Sequence, residues 1–339
     1  MSAHRSRLLR GTVALALAAG LAACGDDDEK SAATQPGTAA PASTPAGDAQ
    51  GLVVYTLNAS LSFPFQASID QGIHDKAKEL GVEVRTLDAK NKTENEASNV
   101  QDMLTQKPSG VILQPVDGKA AMAEVASIAG ARVPLVVVHT QVGEGDFTKP
   151  PAGVAAFVSQ GEFEAGKQAG ELAVQALPSG GKVAIVEGST CCFQAIKDRT
   201  DGFKSALDSK TFEVVATQPG AWVADQAEAA CQNMLAGNPD IALFYAHSDD
   251  MGAGCVKAIK AANSKALVIG IGGSKLGVDQ VKAGGMYGTV CYKPYDMGQL
   301  AMQTMYDQLT GAASHNQAYI PYVTPGVTKA NIDTCTPQW

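Results

Sequence analysis

Several marks of large function classes are missing from this 339-residue chain. No C-x₂-C or H-x₃-H spacing occurs, so a metal centre would have to be assembled from distant residues such as His139, His247 and a cysteine. There is no G-x-S-x-G elbow and no phosphate-cradling loop, and Ile-Gly-Ile-Gly-Gly at 269–273 lacks the full dinucleotide spacing. These absences argue against nucleophilic catalysis, cofactors and enzymatic chemistry. No run of 18 apolar residues is present, which leaves no candidate spanning helix. Basic residues are outnumbered, 26 against 34, and without residues 1–23 the balance becomes 23 against 34, a net charge of −11. A nucleic-acid footprint is excluded.

The first 50 residues read as an export and tethering device. Arg5, Arg7 and Arg10 precede a short apolar stretch at 13–21 that ends in small residues, the pattern of a cleaved signal segment. Leu21-Ala-Ala-Cys24 resembles the bacterial lipobox, which implies cleavage after residue 23 and lipid on Cys24; an ordinary signal peptide with a chance cysteine is the alternative. Residues 25–50 open with Asp26-Asp-Asp-Glu29 and continue in Ser, Ala, Thr, Pro and Gly without a large apolar side chain. Such a segment cannot bury enough surface to offset ordering entropy, so 24–50 is expected to be a disordered linker, spanning roughly 28 Å as a coil. The expected location is extracytoplasmic, anchored to the cell membrane through Cys24.

From Gly51 onward short apolar runs alternate with amphipathic segments. Strands are expected at 52–57, 82–87, 111–113, 135–138, 155–158, 183–186, 214–216, 241–245, 267–271 and 288–291. Several are continuous Val/Ile/Leu runs, as parallel strands covered on both faces require. Ile69, Ile73, Ala77 and Leu80 make one helical face ended by Gly81, and Thr93 with Glu96 suggests a capping box. Helices are also expected at 225–235 and 249–262. Repeated β-α units imply parallel sheets with right-handed crossovers, and the loop at 141–151 is the clearest break between two series.

The segment Gly51-Leu-Val-Val-Tyr-Thr-Leu-Asn58 with Phe63-Pro-Phe-Gln-Ala-Ser-Ile-Asp-Gln-Gly72 resembles the opening strand, loop and helix of the ribose-binding-protein family, the type I periplasmic sugar receptors of ABC importers. The resemblance continues through Asn99-Val-Gln-Asp102, Gly110-Val-Ile-Leu-Gln-Pro-Val-Asp117, Arg199-Thr-Asp-Gly-Phe203, Thr217-Gln-Pro219, Ala246-His-Ser-Asp-Asp-Met251 and Lys293-Pro294, in order. It implies an α/β fold of two doubly wound parallel-sheet lobes. The first would comprise 51–158 plus 293–321 and the second 159–292 plus 322–339. Three hinge crossings would fall near Ser159, Tyr292 and Tyr322.

The family match also suggests ligand contacts. Phe65 and Trp222 stand where rings stack on the ligand, although Phe65 could instead be a helix-entrance staple and Trp222 a loop cover. Gln66 follows where another aromatic is common. Asn58 and Gln114 end the first and third strands, Gln114 replacing the usual Asn. Other positions depart from the pattern. His139 and Thr140 replace an Asp-Arg pair, Gly272 replaces a second Asp, Ser248 an Asn and Tyr292 a Gln, while Lys197 sits at an Arg position. A charged acceptor on a hydroxyl contributes on the order of 1.5–3 kcal/mol, so losing two argues against an ordinary aldopyranose held in the usual way. His139, His247, Lys197 and Lys293 point to an acidic sugar derivative, or else a small polyol; neutral strand-end histidines and a solvated lysine are the plainer alternative. Asp249 and Asp250 open a helix, one suited to capping and the other to ligand contact.

Six cysteines follow Cys24, all in the later part of the chain, and export makes disulfides plausible. The expected pairs are Cys231–Cys255 and Cys291–Cys335. Adjacent Cys191 and Cys192 would then lie beside the cleft, as a vicinal disulfide against which a ligand packs, or else paired elsewhere or with one of them a buried thiol. The function expected is a monomeric solute-binding lipoprotein that delivers a small molecule to a membrane ABC permease, without cofactor or metal. A receptor for a membrane histidine kinase or chemoreceptor, and an extracytoplasmic thiol-redox or metal protein, are the alternatives.

Overall fold

The computed structural model describes residues 51–146, 148–188, 193–312, 319–322 and 324–339. Cys24, the linker and the Cys191-Cys192 pair lie outside the described residues. The chain runs β1 (Val53–Asn58), α1 (Pro64–Leu80), β2 (Glu83–Asp88), α2 (Thr93–Thr105), β3 (Gly110–Leu113), α3 (Met122–Gly130), β4 (Leu135–Val138) and β5 (Ala156–Gln160). It continues with α4 (Glu162–Ala176), β6 (Gly181–Glu187), α5 (Phe193–Ala206), β7 (Phe212–Pro219), α6 (Ala224–Gly237), β8 (Leu243–Ala246), α7 (Asp249–Ala261), β9 (Leu267–Gly272), α8 (Lys275–Ala283) and β10 (Gly288–Cys291). The described part closes with α9 (Pro294–Thr310), β11 (Tyr319–Tyr322) and β12 (Gly326–Thr328).

Two six-stranded sheets result, ordered β11-β5-β4-β3-β1-β2 and β12-β10-β9-β8-β6-β7. The pairings are parallel except for β12, which runs antiparallel to β10. The all-buried runs Val111-Ile112-Leu113 and Leu135–Val138 form central strands covered on both faces, as their unbroken apolar character requires. α1 buries Ile69, Ile73 and Ala77, each worth up to about 1.5–3 kcal/mol for the larger side chains, and stops at Gly81 with φ 72°. In the second lobe Phe203 stacks on Tyr245 with ring centroids 4.2 Å apart.

Some expectations are corrected. The loop at 141–151 does not divide the sheets, because β5 beyond it pairs in parallel with β4; the chain leaves the first sheet only after Gln160. Lys92, not Thr93, precedes α2, without a side-chain cap. Glu96 turns inward instead, its Oε2 accepting the Val116 N–H at 2.6 Å. Burial and the neighbouring Glu124 carboxyl push Glu96 up to about 9, so it carries a proton. The sequence pattern gives no strand at 319–322, since Pro321 weakens it, yet β11 forms there and tolerates Pro because it is an edge strand. Both expected disulfides are present: Cys231–Cys255 ties α6 to α7, and Cys291–Cys335 ties the end of β10 to the segment after a short 3₁₀ turn at Ile332–Thr334.

Candidate ligand-binding cleft

The expected site residues that the structure describes lie at the carboxyl ends of parallel strands or on the helices that follow, where open α/β sheets bind ligands. The two sets of strand ends meet. Phe65 packs against both the first-lobe core around Ile69 and Met297 and the second-lobe core around Phe203 and Tyr292. Its ring lies 4.8 Å from that of His139 and 6.2 Å from that of Tyr292.

At the floor of this junction is a buried polar network. Arg199 on α5 donates through Nε to Glu162 Oε2 at 2.6 Å and through Nη2 to Oε1 at 3.1 Å, and through Nη1 to the His247 carbonyl at 2.7 Å. Its guanidinium also lies 5.4 Å from the Trp222 ring and 5.5 Å from the Tyr292 ring. Tyr292 donates to Glu162 Oε2 at 2.7 Å. Burial opposes ionisation of Glu162, but the Arg199 charge and hydrogen bonds outweigh it and hold the carboxyl below its usual range. Gln160 links this network to the first lobe, its amide donating to Glu162 Oε1 at 2.8 Å and to His139 Nδ1 at 2.9 Å.

Both histidines are neutral near pH 7. His139 is half-buried, yet dense packing desolvates it and, with Arg199 nearby, brings it down to about 4. His247 is fully buried and held well below its ordinary value, first by burial and then by Arg199. Thr200 Oγ1 donates to Glu187 at 2.6 Å, so the 3.3 Å contact with His247 places the proton on Nε2.

Lys197, expected in the cleft, is instead half-exposed and paired with Asp201 one turn along α5. Arg199 holds the interior position. Residues two positions apart on a helix differ by about 200° in direction, so only one of Lys197 and Arg199 can face the cleft, and Arg199 opens the Arg199-Thr-Asp-Gly-Phe203 motif. Asn58 is committed internally, donating to the Gln66 carbonyl at 3.0 Å and accepting from the Ser60 N–H at 2.9 Å. Gln66 and Thr140 are half-buried beside it and beside His139.

Ser248 proves to be the cap of α7, accepting the Met251 N–H at 3.2 Å, so neither Asp249 nor Asp250 fills that role. Asp249 is fully buried, accepting from Thr289 Oγ1 at 2.6 Å, Ser274 N at 2.8 Å and Ser274 Oγ at 2.9 Å. Burial carries it up to about 6 in spite of these bonds. Trp222 adopts φ 66° and lies so close to Gly188 that a Cβ there would meet its ring at 1.9 Å. His247 Nδ1 is buried without a partner, and Gln114 goes further: it is 2% exposed, and neither amide atom has a hydrogen-bond partner. No cluster of three His, Cys, Asp or Glu side chains that could hold a metal exists among the described residues. No helix among them is long and apolar enough to cross a membrane. A separate open groove of about 450 Å³, lined by Gly181, Lys182 and 209–213, lies at the opposite, amino-terminal ends of β6 and β7 and gathers no buried polar group.

A family model for the periplasmic binding protein domain matches residues 54–313. The chain is 30% identical over 268 residues to the ribose import binding protein of Haemophilus influenzae, covering 79% of this chain and 88% of the relative. A periplasmic ribose ABC transporter protein from Conexibacter woesei superposes with a TM-score of 0.78 at 23% identity, covering 86% of this chain and 96% of that one, and shares the fold. An ABC transporter solute-binding protein from Mycobacterium smegmatis, solved with bound glycerol, is 25% identical with a TM-score of 0.74 and covers 84% and 96% of the two chains. On this match and this cleft between two α/β lobes, the chain belongs to the periplasmic binding protein family.

Proposed function

We propose that this protein is a monomeric, lipid-tethered extracytoplasmic receptor that captures a neutral sugar or polyol between its lobes and delivers it to an ABC importer. The observation that carries the reading is Gln114. A buried amide with no partner costs on the order of 1–3 kcal/mol, and a ligand hydroxyl can both donate to it and accept from it. Relatives named for ribose import support the sugar class. A neutral ligand is supported by the floor of the cleft, where the Arg199 charge is matched by Glu162 and both histidines are uncharged. An acidic ligand would find no unmatched cation among these residues.

Phe65 bridges both cores, so entry of a ligand requires the lobes to part about the crossings near Ser159, Tyr292 and Tyr322, and closure follows from contacts made with both lobes at once. Chemistry on the ligand has no place in this scheme. Lipid on Cys24 and the linker at 24–50 would hold the receptor beside its permease. A thermal-shift panel of D-ribose, D-allose, myo-inositol and glycerol against galacturonic acid and ribose 5-phosphate tests the ligand class. Stabilisation by one or more neutral members is expected; a response confined to the anions would reject it.

A further inference from the structure

Residues 335–339 leave the second core and touch both lobes. Cys335 is fastened to Cys291 at the end of β10. The Gln338 carbonyl then accepts from Ser68 Oγ on α1 at 2.8 Å. The Gln338 side chain caps α9, which begins with Pro294 after Lys293 and has no side-chain cap of its own. Gln338 Oε1 accepts the N–H groups of Tyr295 at 3.0 Å and Asp296 at 3.3 Å, two donors that a helix start leaves without partners, and Nε2 donates to Asp296 Oδ1 at 2.8 Å.

Trp339 turns back to the second lobe. Its Nε1 donates to the Gly272 carbonyl at 3.3 Å and its carbonyl accepts from Lys275 N at 3.0 Å. The indole stands edge-on to Phe65 of the first lobe at 5.2 Å. Gly272 has φ 150°, and a Cβ there would lie 3.0 Å from the indole and 2.8 Å from Asp249 Oδ2. The ring therefore takes the ground that a side chain at 272 would fill.

We propose that residues 336–339 form an interlobe strap and that the Trp339 indole is a specificity-determining wall of the cleft, standing in for the side chain that Gly272 lacks. Parting the lobes must release either the Ser68 and α9 contacts or the Gly272 and Lys275 contacts. The strap thus biases the hinge equilibrium toward closure by whatever those bonds contribute. The wall presents an aromatic surface whose one N–H is already bonded, which suits the C–H face of a ligand and narrows the space for a large one. The wall rests on the sugar-receptor reading; the strap does not.

The chain has two tryptophans, so W222F leaves Trp339 as the sole indole emitter. Acrylamide should quench it at least threefold less than in the urea-unfolded chain, and adding S68A with Q338A should raise quenching at least twofold. Quenching equal to that of the unfolded chain would overturn the strap. Fluorotryptophan-labelled protein, with the resonance missing in W339A assigned to Trp339, gives the same exposure without the W222F change. For the wall, calorimetry with glycerol, myo-inositol and D-ribose compares W339A with the unaltered protein. The ratio of myo-inositol to glycerol affinity should shift tenfold or more. An unchanged ratio overturns the wall, and failure of the unaltered protein to bind any of the three or D-allose overturns it together with the sugar reading. The quenching result stands in either case.

Discussion

The two faces of the cleft are built on different terms. On the second-lobe face the charged groups are paired: Arg199 with Glu162 and Tyr292, Asp249 with Ser274 and Thr289. A disulfide, Cys291–Cys335, closes that face beside Gly273. The first-lobe face is built instead from a ring at Phe65 shared between two cores and an amide at Gln114 with nothing to bond. Preorganised groups hold a shape, whereas unsatisfied ones reward a ligand. On the proposed reading the second lobe sets the frame and the first lobe, through Gln114, reads hydroxyls.

The largest expected effect comes from breaking the frame. Glu162→Ala strands a buried guanidinium and should cost about 3–5 kcal/mol in urea unfolding, part of which returns in the double variant Glu162→Ala with Arg199→Met. Removing the disulfide with Cys291→Ala and Cys335→Ala should cost about 2–4 kcal/mol in the same assay.

Two pH windows sharpen the comparison, because the faces titrate with opposite sign. Asp249 takes up its proton at about 6 when folded and 3.8 ordinarily, so its contribution is complete below pH 4 and is lost as pH climbs through 6, by on the order of 2–3 kcal/mol. His139 is held at about 4 against an ordinary 6.5, so its contribution is present above pH 6.5 and is lost as pH falls toward 4. Melting temperatures from pH 3.5 to 8 should show Asp249→Asn removing the loss on the rising side and His139→Gln flattening the loss on the acid side. Identical profiles for the two variants would contradict the assignment of charge states.

The smallest effect on stability is expected at Gln114. Gln114→Leu removes a buried amide that has no partner and should leave the ligand-free protein unchanged or stabilised by about 1 kcal/mol. Affinity for whichever neutral sugar stabilises the native protein should nonetheless fall at least tenfold by calorimetry. Full retention of affinity would place ligand recognition elsewhere.

Much of the fold could be read from unbroken apolar runs, because a strand buried on both faces leaves little choice of residue; β3 and β4 are examples. The edge strand β11 escaped because Pro321 and a short half-exposed run carry no such signal. The Cys231–Cys255 pair was legible because it joins neighbouring helices, whereas Cys291–Cys335, 44 positions apart, carried a weaker signal. The choice of Arg199 over Lys197 was not legible, since helix phase near the cleft depends on how α5 packs on α4. The capping role of Ser248 was hidden for a similar reason: Ser248 and Asp249 are both good caps, and only the buried partners Ser274 and Thr289 draw Asp249 away.

A family resemblance carried the two-lobed class of fold, while by itself the amino-acid order determined the local periods and the alternation of strand and helix. Those properties depend on residues a few positions apart. Which charges cancel, which amide is left without a partner and which ring stands beside Gly272 involve residues up to 130 positions apart, as between Glu162 and Tyr292. Burial and geometry decide them, and both exist only once the sheets have come together.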